Sequence, residues 1–168
     1  MMPVGPIART AAVFGASGGI GHALCDELLA RGVVTVHAGS RDGEGSSDKR
    51  VRPFAFDYED PETLAAAAEA MGADPPDLVF VATGVLTLPD GSAPERSHRE
   101  LDMETMERVF RINTFGPSLV ARHMLPLFPR DRRAVFAALS ARVGSIGDNR
   151  IGGWHSYRAT KAALNMLV

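Results

Sequence analysis

The sequence holds a single cysteine, Cys25, so no disulfide can close within the chain and nothing in its cysteine usage asks for an oxidising compartment. No apolar run is long enough to cross a bilayer. Neither sign of charge is in excess: the formal net charge is −2, which gives nucleic acid or an anionic membrane no electrostatic hold on the chain. The opening MMPVGPIART has no signal-peptide core, because Pro3, Gly5 and Pro6 interrupt it and Arg9 follows. Together these absences predict a cytoplasmic protein with no nucleic-acid or membrane partner. The length, 168 residues, suits a single domain over 1–168 with a sizeable core.

What is present is an alternation of two hydrophobic periods. Thr10–Phe14 is a short apolar run ahead of GASGGIG, after which Ile20, Ala23, Leu24 and Leu28 recur at helical spacing until Gly32. VVTVHAGS (33–40) reads as a β-branched strand, RDGEGSSDKR (41–50) as a polar loop, and VRPFAF (51–56) as a third strand that Pro53 places toward an edge. DPETLAAAAEAMG (60–72) predicts a helix with Asp60 as its cap, Pro61 in its first turn and Gly72 as its stop. DLVFVAT (77–83) predicts a buried strand, LPDGSAPERSHRE (88–100) a turn-rich connection, and 103–128 one long helix kinked at Pro117. RAVFAALS (133–140) is the fifth strand, and a last helix begins near Trp154. Strands alternating with helices predict an α/β fold with a doubly wound parallel sheet of the Rossmann type.

GASGGIG sets Gly15, Gly19 and Gly21 between the first strand and the first helix, with Ser17, Gly18 and Ile20 among them. Backbone N–H groups at a helix N-terminus attract an anion, and residues without side chains let a pyrophosphate approach closely. The spacing is G-x-x-x-G-x-G rather than G-x-G-x-x-G. The same glycines would serve a tight turn with close helix–strand packing, and the spacing alone leaves both readings open.

With these motifs in order, the chain resembles the short-chain dehydrogenase/reductase family. The glycine pattern matches except that Phe14 stands where the family has threonine. SARVGSI (140–146), GGWHSYRATKAALN (152–165) and INTFGP (112–117) resemble the carbonyl-reductase-like and C-signal-factor-like branch. The resemblance implies an oxidoreductase that interconverts a small carbonyl compound and an alcohol with a nicotinamide cofactor, and no metal. It implies a homodimer or homotetramer paired through the helices that carry Asn113 and Tyr157. It further implies that Gly84 lets the cofactor ribose approach and that Asp57 contacts the adenine amine, although Asp57 also suits a cap for the helix after it. Where a carboxylate would favour NAD, the second strand here ends in Ser40 and Arg41, which suit the 2′-phosphate of NADP. NADP is therefore expected ahead of NAD.

Tyr157 and Lys161 stand at i and i+4, so a helix presents them on one face. A free tyrosine titrates near pH ~10, and a nearby ammonium, with cofactor positive charge close by, is expected to favour its phenolate and lower that value. Such a tyrosine can exchange a proton with a carbonyl oxygen as hydride is transferred, and in the family the lysine also holds the nicotinamide ribose. Asn113 matches the family asparagine that bends the central helix and orders a water toward the lysine. Without the resemblance it reads as an Asn at a bend near Gly116 and Pro117.

Two positions depart from the family. Its substrate-binding serine falls on Ala141, so Ser140 is taken as the catalytic serine, with a local backbone shift required and Ser145 as a further candidate. ATGV (82–85) replaces Asn-Asn-Ala-Gly, so Ala82 is expected to loosen the central sheet. Family members also continue past the Tyr–Lys helix into further strands. The expectation is therefore a sheet lacking the last strands of the family fold, with weak or no turnover from these residues alone. The alternative is a non-catalytic nucleotide-binding or signalling module of the same fold, and the residues that would reveal the substrate are not legible.

Overall fold

The five apolar runs become five strands: β1 (Thr10–Phe14), β2 (Thr35–Ser40), β3 (Val51–Ala55), β4 (Leu78–Val81) and β5 (Val135–Ala138). In the computed structural model, which describes residues 7–150 and 152–168, they form one sheet in the order β3-β2-β1-β4-β5. Pro3, Gly5 and Pro6 of the opening stretch lie outside the described residues. β1 pairs in parallel with both β2 and β4, and β2 pairs in parallel with β3. Every residue of β1 and β2 is buried, as in a parallel sheet covered on both faces. β3 lies at the edge of the sheet, where the N–H that Pro53 lacks can be spared.

The chain forms two compact units. One carries the chain up to Ala82 together with Val120–Ala137; the other carries Thr83–Leu119 and Ala138–Val168. In the first unit the strand order reverses between β1 and β4, the kind of switch point at whose carboxyl ends open α/β sheets take ligands. Ala82 does not loosen the sheet there: its N–H donates to Phe14 O at 2.8 Å and carries the β1–β4 ladder one residue further. Phe14 packs edge-on against Phe54 and Phe56, each with ring centroids 5.1 Å away. Helix α1 (Gly19–Ala30) buries Gly21, Cys25 and Leu28, while Ile20 is 62% exposed rather than part of the core. Helix α2 (Glu62–Met71) buries Leu64, Ala67, Ala68 and Met71, with Gly72 at its end; the Asp60 carboxylate accepts the Glu62 N–H at 3.2 Å.

The single helix expected over 103–128 is three pieces. Helix α3 (Met103–Phe110) runs into a π-helical turn over Arg111–Phe115, and helix α4 (Gly116–Met124) follows. The break falls at Asn113 and not at Pro117. Pro117 stands two residues past the π turn, so the N–H it lacks falls where the helical ladder is already shifted. The π turn inserts a residue into the ladder instead, as such turns do at functional sites. The second unit also contains a 3₁₀ turn over Arg142–Gly144 and the last helix, α5 (His155–Leu167). Among the described residues no helix is long and apolar enough to cross a membrane.

Candidate active site

In the first unit the glycine-rich segment leaves β1 through Gly15, whose φ of +95° suits only glycine. The N–H groups of Gly15 and Ala16 both donate to Gly39 O, at 2.9 and 2.8 Å, which fastens the turn to β2. A Cβ on Gly21 would stand 2.1 Å from Gly15 O, whereas a Cβ on Gly19 would meet nothing within 4 Å. Gly21 is therefore required by packing and Gly19 leaves room above the turn. Gly18 caps α1 with no side-chain hydrogen bond, so the first-turn N–H groups keep their capacity for an external acceptor. An uncapped helix N-terminus behind a glycine-rich turn suits a pyrophosphate.

At the end of β2, the Ser40 hydroxyl donates to Asp42 Oδ1 at 2.6 Å and accepts the Gly43 N–H at 3.0 Å. That hydroxyl already shapes the loop, and Arg41 beside it is exposed. The bond from Ser40 is the main reason the Asp42 carboxyl lies below its usual range. Asp57 does not place its carboxylate on α2; Oδ1 accepts the Glu59 N–H at 2.9 Å, and the Asp57 backbone N–H donates to Thr63 Oγ1 at 2.9 Å. These bonds build the turn into α2.

The second unit gathers the proton-transfer residues. Lys161 is only 3% exposed, its Nζ donates to Leu139 O at 2.8 Å and lies 5.8 Å from the centre of the Tyr157 ring. Burial lowers the Lys161 ammonium and raises the Tyr157 phenol. The lowered phenol expected from the sequence is thus not a property of the folded chain by itself. Desolvation, which disfavours phenolate, is the cause of the rise.

Asn113 is fully buried in the π turn. Its Oδ1 accepts the Val85 N–H and its Nδ2 donates to Val85 O, both at 2.8 Å, and Nδ2 also reaches Thr160 Oγ1 at 3.2 Å. Thr160 in turn donates to Tyr157 O at 2.6 Å, and Thr114 donates to Thr160 O at 2.9 Å. The asparagine therefore ties the Gly84–Val85 stretch to α5 between its tyrosine and its lysine. Gly84 leaves the gap: a Cβ there would lie 3.4 Å from both Asn113 Oδ1 and Lys161 Nζ.

Ser140 is exposed, and its hydroxyl meets Asn165 Oδ1 at 2.5 Å. Ala141 leads into the 3₁₀ turn with an extended backbone, φ −146° and ψ 147°. Ser145 Oγ accepts the Asp148 N–H at 3.3 Å and belongs to the following loop.

Three contributors escape a reading of the sequence. Gly144 packs on Lys161 so tightly that a Cβ would come within 2.7 Å of Lys161 Cβ; its glycine in SARVGSI was the available signal. Thr160 gave none. Glu95, in the turn-rich connection, is only 4% exposed and accepts from both the N–H and the hydroxyl of Ser156, beside Tyr157. Among the described residues no group of acidic, histidine or cysteine side chains forms a metal site.

The family model for short chain dehydrogenases matches residues 9–168. The chain belongs to the short-chain dehydrogenase/reductase family. Within that family it is 34% identical over 162 residues to a 1-hydroxy-2-glutathionyl-2-methyl-3-butene dehydrogenase of Rhodococcus, covering 94% of this chain and 67% of that protein. A 69-residue stretch is 41% identical to the C-signal protein of Myxococcus xanthus, 41% of this chain and 42% of that one. Among solved structures, a Pseudomonas aeruginosa carbonyl reductase in complex with NADP superimposes with a TM-score of 0.80 at 26% identity, covering 95% of this chain and 73% of that chain. This short-chain dehydrogenase/reductase is thus an oxidoreductase of the Rossmann type, with carbonyl reductases among its structural neighbours.

Proposed function

We propose that this short-chain dehydrogenase/reductase interconverts a small carbonyl compound and its alcohol with NADP, using Tyr157 as proton donor and acceptor and Lys161 as its partner. The observation that carries this reading is the buried Lys161, held by Leu139 O beside Tyr157 while Asn113 bonds to the residue between them. NADPH, when bound, would be the source of the hydride for the carbonyl carbon. Tyr157, kept protonated by burial, gives its O–H proton to the carbonyl oxygen as the C=O π bond opens. The phenolate left behind is stabilised by the Lys161 ammonium, and the reverse proton transfer serves alcohol oxidation. Ser140 is the proposed hydroxyl partner of the substrate oxygen, once it turns from Asn165.

For the cofactor, Gly15, Ser17, Gly18, Gly19, Ile20 and Gly21 would surround the pyrophosphate at the N-terminus of α1. Arg41, beside Ser40, would meet the 2′-phosphate and Asp57 the adenine. Gly84, Asn113, Tyr157 and Lys161 would hold the nicotinamide ribose. Preference for NADP over NAD is supported by the NADP-bound relative and by Arg41. The buried free Cys25 suits a cytoplasmic protein. Exposed Phe115 and Met166, on the segments that carry Asn113 and Tyr157, suit a homodimer or homotetramer, which light scattering would register as a multiple of the 17.9 kDa chain.

The test is NADPH consumption on a panel of small aldehydes and ketones. Tyr157→Phe should lower any turnover about 100-fold or more while the melting temperature is kept, since a phenyl ring preserves the packing. Equal turnover by both proteins contradicts the role of Tyr157. A second reading, a nucleotide-binding module without turnover, is favoured by Ala141 at the serine position and by Asn165 holding the Ser140 hydroxyl. NADPH binding with no reduction anywhere on the panel would select it.

A further inference from the structure

We propose that Glu95 is a positioning residue for Tyr157: its backbone and side chain together clamp the strained turn that launches α5. This inference rests on Tyr157 being the proton-transfer group. The turn contains three successive left-handed residues, Gly152 (φ +73°), Gly153 (φ +65°) and Trp154 (φ +51°). Trp154 is the only non-glycine residue with positive φ among those described, and a bulky side chain in that region is strained. Such strain persists only where the surroundings hold it, and it collects at functional sites.

Glu95 does the holding. Its carbonyl oxygen accepts the Trp154 N–H at 2.5 Å. Its carboxylate accepts the Ser156 N–H at 3.1 Å through Oε2 and the Ser156 hydroxyl through Oε1. A Cβ on Gly153 would already lie 3.4 Å from Glu95 O, so the connection is pressed against the turn. Trp154 gives α5 no side-chain cap; Glu95 supplies that service from 60 residues earlier in the chain and places negative charge at the positive end of the helix. Burying a carboxylate is costly unless it is fully hydrogen-bonded. Burial does push this carboxyl up, but the Ser156 hydroxyl and the backbone N–H groups outweigh it, and Glu95 stays ionised. Tyr157 follows directly, and its ring meets that of Trp154 edge-on at 6.4 Å. The other charged and titratable groups around this corner are Arg96, Glu100, and the stacked pair His98 and His155, with Arg158 and Lys161 further along α5.

The experiment needs no turnover. The chain has two tyrosines, Tyr58 and Tyr157, so labelling with ¹³Cζ-tyrosine gives two resonances, assigned with Tyr58→Phe. In the wild type, burial holds the Tyr157 midpoint above the ordinary tyrosine value. In Glu95→Ala the turn relaxes, Tyr157 gains water, and its midpoint should fall by about half a pH unit or more while Tyr58 stays in place. Glu95→Gln keeps an oxygen for the Ser156 N–H and an amide for its hydroxyl, and should restore most of the wild-type value. A Tyr157 resonance that is unmoved in folded Glu95→Ala overturns the proposal. If that variant does not fold, Ser156→Ala carries the test, with a smaller shift in the same direction supporting the clamp and no shift overturning it. Should the wild type bind no NADPH, the functional reading fails on its own, and the titration still decides the clamp.

Discussion

Asn113 holds Val85 at both of its backbone groups, accepting its N–H and donating to its carbonyl at 2.8 Å each. A single amide thus does what a neighbouring strand would do for a residue outside the sheet. Unpairing a buried polar group costs about 1–3 kcal/mol. Asn113→Ala should therefore lower unfolding free energy in urea by about 2 kcal/mol or more, and Asn113→Asp, which sets a buried carboxylate against the Val85 carbonyl oxygen, by at least as much. A loss below about 0.5 kcal/mol would mean that water replaces the amide without cost.

Gly21 tests the phosphate turn. Its would-be Cβ overlaps Gly15 O, a backbone atom that cannot rotate away. Gly21→Ala should weaken NADPH binding about tenfold or more in calorimetry. Gly19→Ala meets open space within the protein, so it should leave the fold's melting temperature unchanged and reduce only nucleotide affinity. Equal effects of the two on stability would contradict this division.

Gly144→Ala probes Lys161 from behind. The added methyl meets Lys161 Cβ at 2.7 Å and the Lys161 carbonyl carbon at 2.8 Å. Overpacking of this kind costs about 1–3 kcal/mol. Stability should fall by that amount, and activity should fall beyond what the stability change explains. Wild-type activity in folded Gly144→Ala would show that the position of Lys161 matters little.

The two opposed shifts at the site give stability a signed pH dependence. Burial lowers Lys161, so between its folded value and the ordinary ~10.4 the unfolded chain binds more protons than the folded one. In that window Lys161 makes stability rise with pH. Burial raises Tyr157, so above about pH 10 the folded chain keeps a proton that the unfolded chain has lost, and stability falls with pH. The difference in unfolding free energy between wild type and Lys161→Met should therefore grow in favour of the wild type from about pH 8 to 10. A flat difference would mean that the Lys161 ammonium is as well solvated folded as unfolded.

The sheet was legible because its strands are short, apolar and separated by helices of clear period, and Pro53 marked the edge without further help. The bend in the long helix was legible through the family match of Asn113, while Pro117 drew attention two residues past the π turn, which answers to tertiary bonds with Val85 and Thr160. Spacing shows that Lys161 shares the helix face of Tyr157, but not how far burial raises the phenol. Glu95 was invisible, since a lone acidic residue in a polar turn looks solvated until the chain brings it to Ser156.

The most direct test of the central claim is a calorimetric titration of the chain with NADPH, with NADH run beside it and Arg41→Ala as the control. The account predicts micromolar binding of NADPH, at least about tenfold tighter than NADH, with the preference lost in Arg41→Ala, since a charge-assisted phosphate contact is worth a few kcal/mol at most. Binding of neither nucleotide, or NADH binding as tightly as NADPH to the wild type, would contradict it.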